Sequence, residues 1–123
     1  MAEILVLGDI LDATVLMGKI LKKKGHVVHT FTEEDDAIAF VRNHPIDLAI
    51  LDIKLKKMSG IEVLAILKGE RSSMRTLILT GYPTVETARE AVNLGADEYC
   101  VKPIDRLELE ERVAKMLAAQ PKS

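Results

Sequence analysis

With 123 residues, 48% of them of hydrophobic type, the chain can build one core and falls short of two, so one domain with one site is expected. Its 17 basic and 19 acidic residues are spread along the sequence and leave a formal net charge of -2, which provides no basic field for a nucleic-acid backbone. The start, MAEILVLGD, has no basic stretch followed by an apolar one, and no apolar run approaches bilayer length, so a soluble cytoplasmic protein without membrane or direct nucleic-acid partners is expected.

Ile4 to Leu7 is the first of five short apolar runs and ends on Gly8 and Asp9. After it, Ala13, Leu16, Met17, Ile20 and Leu21 recur with the spacing of a helix core stripe. Leu11, Val15, Gly18 and Lys22 form a second face at the same spacing, and Asp9 and Asp12 compete as N-caps of that helix. Gly25 stands where the helix should stop. Val27 to Phe31 predicts the second strand, and Thr32 before Glu33 and Glu34 resembles the N-cap of a second helix. Leu48 to Leu51 predicts a third strand that ends on Asp52, followed by a solvated loop carrying Lys54, Lys56 and Lys57 and by a helix that Gly69 should end. Leu77 to Thr80 and Tyr99 to Val101 predict the last two strands, with Gly95 ending the helix between them. Cys100, the single cysteine, excludes an intrachain disulfide and reads as a small buried hydrophobe. Lys102 and Pro103 follow, then a helix with Leu109, Val113, Met116 and Leu117 on its apolar side, then a polar tail over Gln120 to Ser123. His26, His29 and His44 have no metal-ligand spacing on one helix.

Runs such as LAIL and LILT are apolar on both faces, as in a parallel sheet covered on both sides. Strands alternating with helices give a single doubly wound α/β domain with right-handed crossovers. In such sheets the ligand site lies beyond the carboxyl ends of the strands. Reading off those ends gathers Gly8, Asp9, Asp52, Thr80, Lys102 and Pro103 on one rim. Two neighbouring carboxylates raise each other's pKa unless a cation lies between them, and oxygen donors of this kind suit Mg²⁺, which takes one or two carboxylates, waters and a phosphate oxygen. One carboxylate can then act as a nucleophile toward phosphorus, with Lys102 and the Thr80 hydroxyl neutralising the transferred group.

The stretches ILVLGD, DLAILDIKLKKMSG, LILTGYPTVETAREAVNLGADEY and VKP resemble the receiver domains of bacterial response regulators over essentially the whole chain. The resemblance implies a flavodoxin-like strand order 2-1-3-4-5, with residues 1–119 as the receiver domain. It implies Asp52 as phosphoacceptor, with Mg²⁺ held by Asp9, Asp52 and the backbone carbonyl of Lys54. It further implies Thr80 as switch hydroxyl, Lys102 as phosphate contact, Tyr99 as aromatic switch and a cis bond before Pro103. The phosphoryl donor would be a histidine kinase or histidine phosphotransfer protein, docking on the face of Leu11, Val15, Gly18 and Lys22. The last helices offer a surface for a downstream protein target or a homodimer. TGYPTVETA resembles receivers of the nitrogen-regulation type.

Gly8 departs from the pattern, because the family carries an acidic pair after the first strand, and this loss is expected to weaken Mg²⁺ binding. Lys56 and Ser59 also depart from it in the loop after Asp52. A pseudo-receiver, an interaction module that takes no phosphate, is the rival reading that Gly8 supports. Lys54 stands where a haloacid-dehalogenase-type hydrolase would carry a second Asp, and GDILDAT supplies no Ser/Thr-rich phosphate loop for a flavin.

Overall fold

A computed structural model describes residues 1–119; the polar tail expected at 120–123 lies outside the described residues. Strands β1 (Glu3–Leu7), β2 (Val27–Phe31), β3 (Leu48–Asp52), β4 (Arg75–Thr80) and β5 (Glu98–Val101) alternate with helices α1 (Leu11–Lys23), α2 (Glu34–Asn43), α3 (Gly60–Glu70), α4 (Val85–Asn93) and α5 (Arg106–Ala118). All pairings are parallel, in the order β2-β1-β3-β4-β5. The doubly wound sheet and its strand order are those expected from the sequence.

Alternation along each strand divides the core in two. Ile4, Val6, Ile50, Leu77 and Leu79 face α1 and α5, whereas Leu5, Leu7, Ala49, Leu51 and Ile78 face α2, α3 and α4. Burial on both faces is the reason these strands read as continuous apolar runs. Cys100 is buried in the first of these layers, and burial pushes its thiol pKa up, which keeps it protonated and inert. β4 starts two residues before its apolar run because Arg75 and Thr76 join the ladder, where the Thr76 amide donates to Asp97 Oδ2 at 2.8 Å.

Several local expectations are corrected. Gly25 and Gly95 follow α1 and α4 with φ of 92°, as helix-ending glycines do, but Gly69 lies inside α3. The buried stripe Ile61, Leu64 and Leu67 carries that helix past it to Glu70. Thr32 caps nothing, since α2 begins at Glu34 with Glu33 in the N-cap position and no side-chain cap bond. In α1 the inward residues are Thr14, Gly18 and Leu21, with Met17 and Ile20 half-buried, while Ala13 and Leu16 of the expected core stripe are exposed. Gly18 therefore does not belong to an outer docking face. A Cβ there would stand 2.8 Å from Thr30 Cγ2, so glycine is what lets α1 lie this close to β2. The outer apolar surface of α1 is instead Leu11, Val15 and Leu16, with Lys22 exposed beside it.

Candidate functional site

The strand register assembles the site. Leu7 pairs with Leu51, Asp52 with Leu79 and Thr80 with Val101, so Gly8, Asp52, Thr80 and Lys102 emerge in a staggered row where the apolar runs end. Each polar group marks the point at which its strand leaves the core.

Asp52 is the centre of this row. Its side chain is only 12% exposed, and Lys102 Nζ lies 2.5 Å from Oδ2. The Lys54 amide donates to Oδ1 at 3.3 Å. Thr80 is buried at 1% exposure, and its Oγ1 accepts from the Tyr82 amide at 2.9 Å, which leaves the hydroxyl proton for another acceptor. The Lys54 ammonium sits 3.7 Å from the centroid of the exposed Tyr82 ring, a cation–π contact between the loops after β3 and β4. Tyr99 is half-buried, and its hydroxyl shares a 2.8 Å hydrogen bond with Thr87 Oγ1 of α4. The Lys102–Pro103 bond is cis. Asp9 is exposed and does not cap α1, whose N-cap position is Ile10 without a side-chain bond.

Gly60, unremarked in the sequence reading, is a geometric requirement of the site. A Cβ on it would fall 2.0 Å from the Asp52 carbonyl oxygen and 2.9 Å from Ile53 Cα, and its amide donates to Ile53 O at 2.7 Å. The start of α3 is thus pressed against the backbone that carries Asp52. Because the obstruction is backbone, which cannot rotate away, Gly60→Ala is expected to cost about 3 kcal/mol of stability. Urea denaturation would check this, and an unchanged midpoint would refute it.

A family model for the response regulator receiver domain matches residues 4–114. The chain belongs to this receiver family. Among its relatives, the transcriptional regulatory protein ZraR of Salmonella typhimurium is 34% identical over 116 residues, covering 94% of this chain and 26% of that protein. The photosynthetic apparatus regulatory protein RegA of Cereibacter sphaeroides is 32% identical over 93 residues, covering 76% of this chain and 50% of that protein. The receiver thus spans between a quarter and half of the curated relatives it matches. A CheY-like response regulator receiver domain protein from Methanospirillum hungatei superposes with a TM-score of 0.93 at 30% identity, over 95% of this chain and 94% of its own. NtrX from Brucella abortus matches with a TM-score of 0.87 at 29% identity, over 94% of this chain and 27% of its own. This supports the nitrogen-regulation flavour of the sequence.

Receiver domains generally bind Mg²⁺ at this rim. Among the described residues no group of three or more His, Cys, Asp and Glu side chains is placed to hold a metal. The donors present are the Asp52 and Asp9 carboxylates and the Lys54 carbonyl, which fit Mg²⁺ because that ion keeps most of its waters and needs one or two carboxylates. Gly8 itself is buried. With Thr14, Asp52 and Lys102 it lines a cavity of about 40 Å³. A Cβ at position 8 would meet Thr14 Oγ1 at 2.8 Å, and that hydroxyl donates to the Ile10 carbonyl at 2.8 Å. The partnership of Gly8 with Thr14 and those of Tyr82 with Lys54 and Thr87 with Tyr99 were not deduced from the sequence. Each joins residues brought together only by the crossovers or by a turn of helix.

Proposed function

We propose that this receiver takes a phosphoryl group onto Asp52 from a histidine kinase or histidine phosphotransfer protein, and signals through the surface change that follows. The observation that carries the reading is the pairing of the Asp52 carboxylate, largely shielded at the end of β3, with the Lys102 ammonium at 2.5 Å. An Asp52 oxygen forms the new O–P bond as the bond from phosphorus to the donor breaks, and the donor leaves with that electron pair. Asp9, Asp52 and the Lys54 carbonyl would hold Mg²⁺, which supplies neutralisation of charge on the phosphoryl oxygens. Lys102 neutralises another share, and the Thr80 hydroxyl donates to a phosphoryl oxygen. Drawing Thr80 toward the new group competes with its bond from the Tyr82 amide and so shifts the loop after β4. Tyr99 is tied to the same region through Thr87, and its movement would pass the change to α4 and β5.

The protein donor docks on the outer face of α1, where Leu11 and Leu16 are 63% and 59% exposed and Val15 stands beside them. An apolar groove of about 470 Å³ between α1 and α5 runs from this face to Lys102. A downstream target or a second copy meets the far side, where Val92, Val101 and Leu107 are exposed. The cytoplasm, where such donors work, is the proposed compartment; no helix among the described residues is long and apolar enough to cross a membrane.

Incubation with acetyl phosphate and Mg²⁺, followed by intact mass and peptide mapping, tests the reading. One phosphoryl group on the peptide containing Asp52, lost when Mg²⁺ is chelated beforehand, is the expected outcome. No uptake at any Mg²⁺ concentration would transfer the chain to the pseudo-receiver class.

A further inference from the structure

Glu34 is the only charged residue with no solvent exposure among the described residues, and nothing in the phosphoryl chemistry uses it directly. It sits in the first turn of α2, and its Oε2 accepts from two successive amides of the loop after β3, that of Lys57 and, at 2.9 Å, that of Met58. Burial alone would push the Glu34 carboxyl up, but the backbone N–H groups of Glu34 itself, Lys57 and Met58 outweigh burial and hold it below the ordinary carboxylate range. It is therefore ionised at neutral pH, and its bonds to the loop are charge-assisted. Two neighbouring pairs cross the same junction, Glu33 with Lys56 at 2.9 Å and Asp35 with Lys57 at 3.2 Å. Both are solvent-exposed and screened, so they add little, and the buried carboxylate does the holding.

That loop is the one on which the site depends. It leaves Asp52, places the Lys54 amide on Asp52 Oδ1 at 3.3 Å, and reaches α3 through the Gly60 amide bound to Ile53 O. No proline fixes its backbone between Ile53 and Ser59. Only Leu55 and Lys56 separate Lys54 from the clamped amides, so releasing Lys57 and Met58 loosens the peptide unit that carries the Lys54 carbonyl, whereas the unit before it stays tied through Gly60 and Asp52.

We propose that Glu34 is a positioning residue for the Asp52 site, which it serves by clamping the Lys57 and Met58 amides and thereby fixing the Lys54 carbonyl beside Asp52. This rests on the phosphoacceptor reading above. It assigns the amino-terminal turn of α2 a part in metal binding at a rim that none of its side chains reaches. Only Oε2 of the buried carboxylate is engaged by these amides; Oε1 has no hydrogen-bond partner among the described residues.

The test compares wild type, Glu34→Ala and Glu34→Gln by amide hydrogen exchange, by Mg²⁺ titration followed by NMR, and by acetyl phosphate labelling across a Mg²⁺ series. Loss of a group that orients a metal ligand weakens metal binding about tenfold or more, and Glu34→Ala is expected to need that much more Mg²⁺ in both titrations. Its labelling rate at saturating Mg²⁺ should stay within about twofold, since Asp52 and Lys102 are untouched. Glu34→Gln keeps an oxygen that accepts from both amides, so it should retain their protection and stay within about threefold of wild type. Wild-type Mg²⁺ affinity in a folded Glu34→Ala whose Lys57 and Met58 amides exchange freely would overturn the proposal. So would a Glu34→Gln as impaired as Glu34→Ala, which would mean that Glu34 acts through its charge alone. If Glu34→Ala fails to fold, Glu34→Asp, one methylene too short for both amides, takes its place with the same expectations. Absence of labelling in wild type would defeat the phosphoacceptor reading, and the NMR titration would still decide the clamp.

Discussion

Asp52→Asn is expected to take up no phosphoryl group from acetyl phosphate, and Lys102→Ala to take one up about a hundredfold or more slowly than wild type, still on Asp52. The amide of Asn lacks the anionic oxygen that must bond to phosphorus, so its effect is on the chemistry itself. Lys102 acts differently. Its ammonium lies 2.5 Å from Asp52 Oδ2 and is itself partly screened from water, with 36% side-chain exposure, in a place where a charge-assisted contact is stronger than in bulk solvent. As the phosphoryl group arrives, negative charge grows on oxygens beside that ammonium, and a preorganised cation costs nothing to reorient. Single-turnover labelling with a small donor measures both variants without involving a partner protein. Labelling of Asp52→Asn at the wild-type rate would remove Asp52 from the nucleophile's role, and a Lys102→Ala rate within about threefold of wild type would reduce the ion pair to a structural contact.

Gly8→Asp by itself is expected to lose stability and to gain little Mg²⁺ affinity, whereas Gly8→Asp with Thr14→Ala binds Mg²⁺ about tenfold more tightly than wild type. The first effect follows from the 2.8 Å approach of a Cβ at position 8 to Thr14 Oγ1. Gly8 does not have a positive φ, so the backbone accepts a side chain and the obstacle is Thr14 alone. Relieving the clash means turning that hydroxyl off the Ile10 carbonyl, at a cost of about 1 to 2 kcal/mol. With Thr14 shortened, the new carboxylate enters beside the cavity that Asp52 and Lys102 also line. A unit charge about 4 Å from the ion is worth up to ~4 kcal/mol at an effective dielectric near 20, and solvent screening lowers this to about 1 to 2. A double-mutant cycle measured by Mg²⁺ titration and urea denaturation reads both quantities. Additive effects of the two substitutions would show that Thr14 does not guard the position.

The sheet was legible because the central strands β1, β3 and β4 are buried on both faces and write themselves as apolar runs, and because the residues that follow those runs mark the functional rim. Asp52, Thr80 and Lys102 needed only that rule and a strand order. The orientation of α1 was not legible. Helical periodicity gives two overlapping apolar stripes there, and the deciding factor, a glycine lying against Thr30, is a contact with another element that local spacing does not encode. Thr32 has the chemistry of a cap yet lost that place, because α2 starts where Glu34 can reach the loop after β3. Gly69 shows the complementary error, a glycine tolerated inside a helix whose buried face outweighs the penalty of about 1 kcal/mol. Glu34 was read only as acidic residue of a first turn, since nothing in the sequence distinguishes an acid that faces water from one that faces two amides.

The chain contains two tyrosines and no tryptophan. Tyr82 carries the Lys54 ammonium on its ring, and Tyr99 shares its hydroxyl with Thr87. Both tyrosine chromophores thus lie on the β4 and β5 side of Asp52, Tyr82 in the loop after β4 and Tyr99 in β5, one perturbed through its π face and the other through its phenol. The intrinsic ultraviolet emission and difference absorbance of the protein are therefore a spectroscopic gauge of this one region, and they are expected to respond to ion or phosphoryl occupancy in real time with no attached dye.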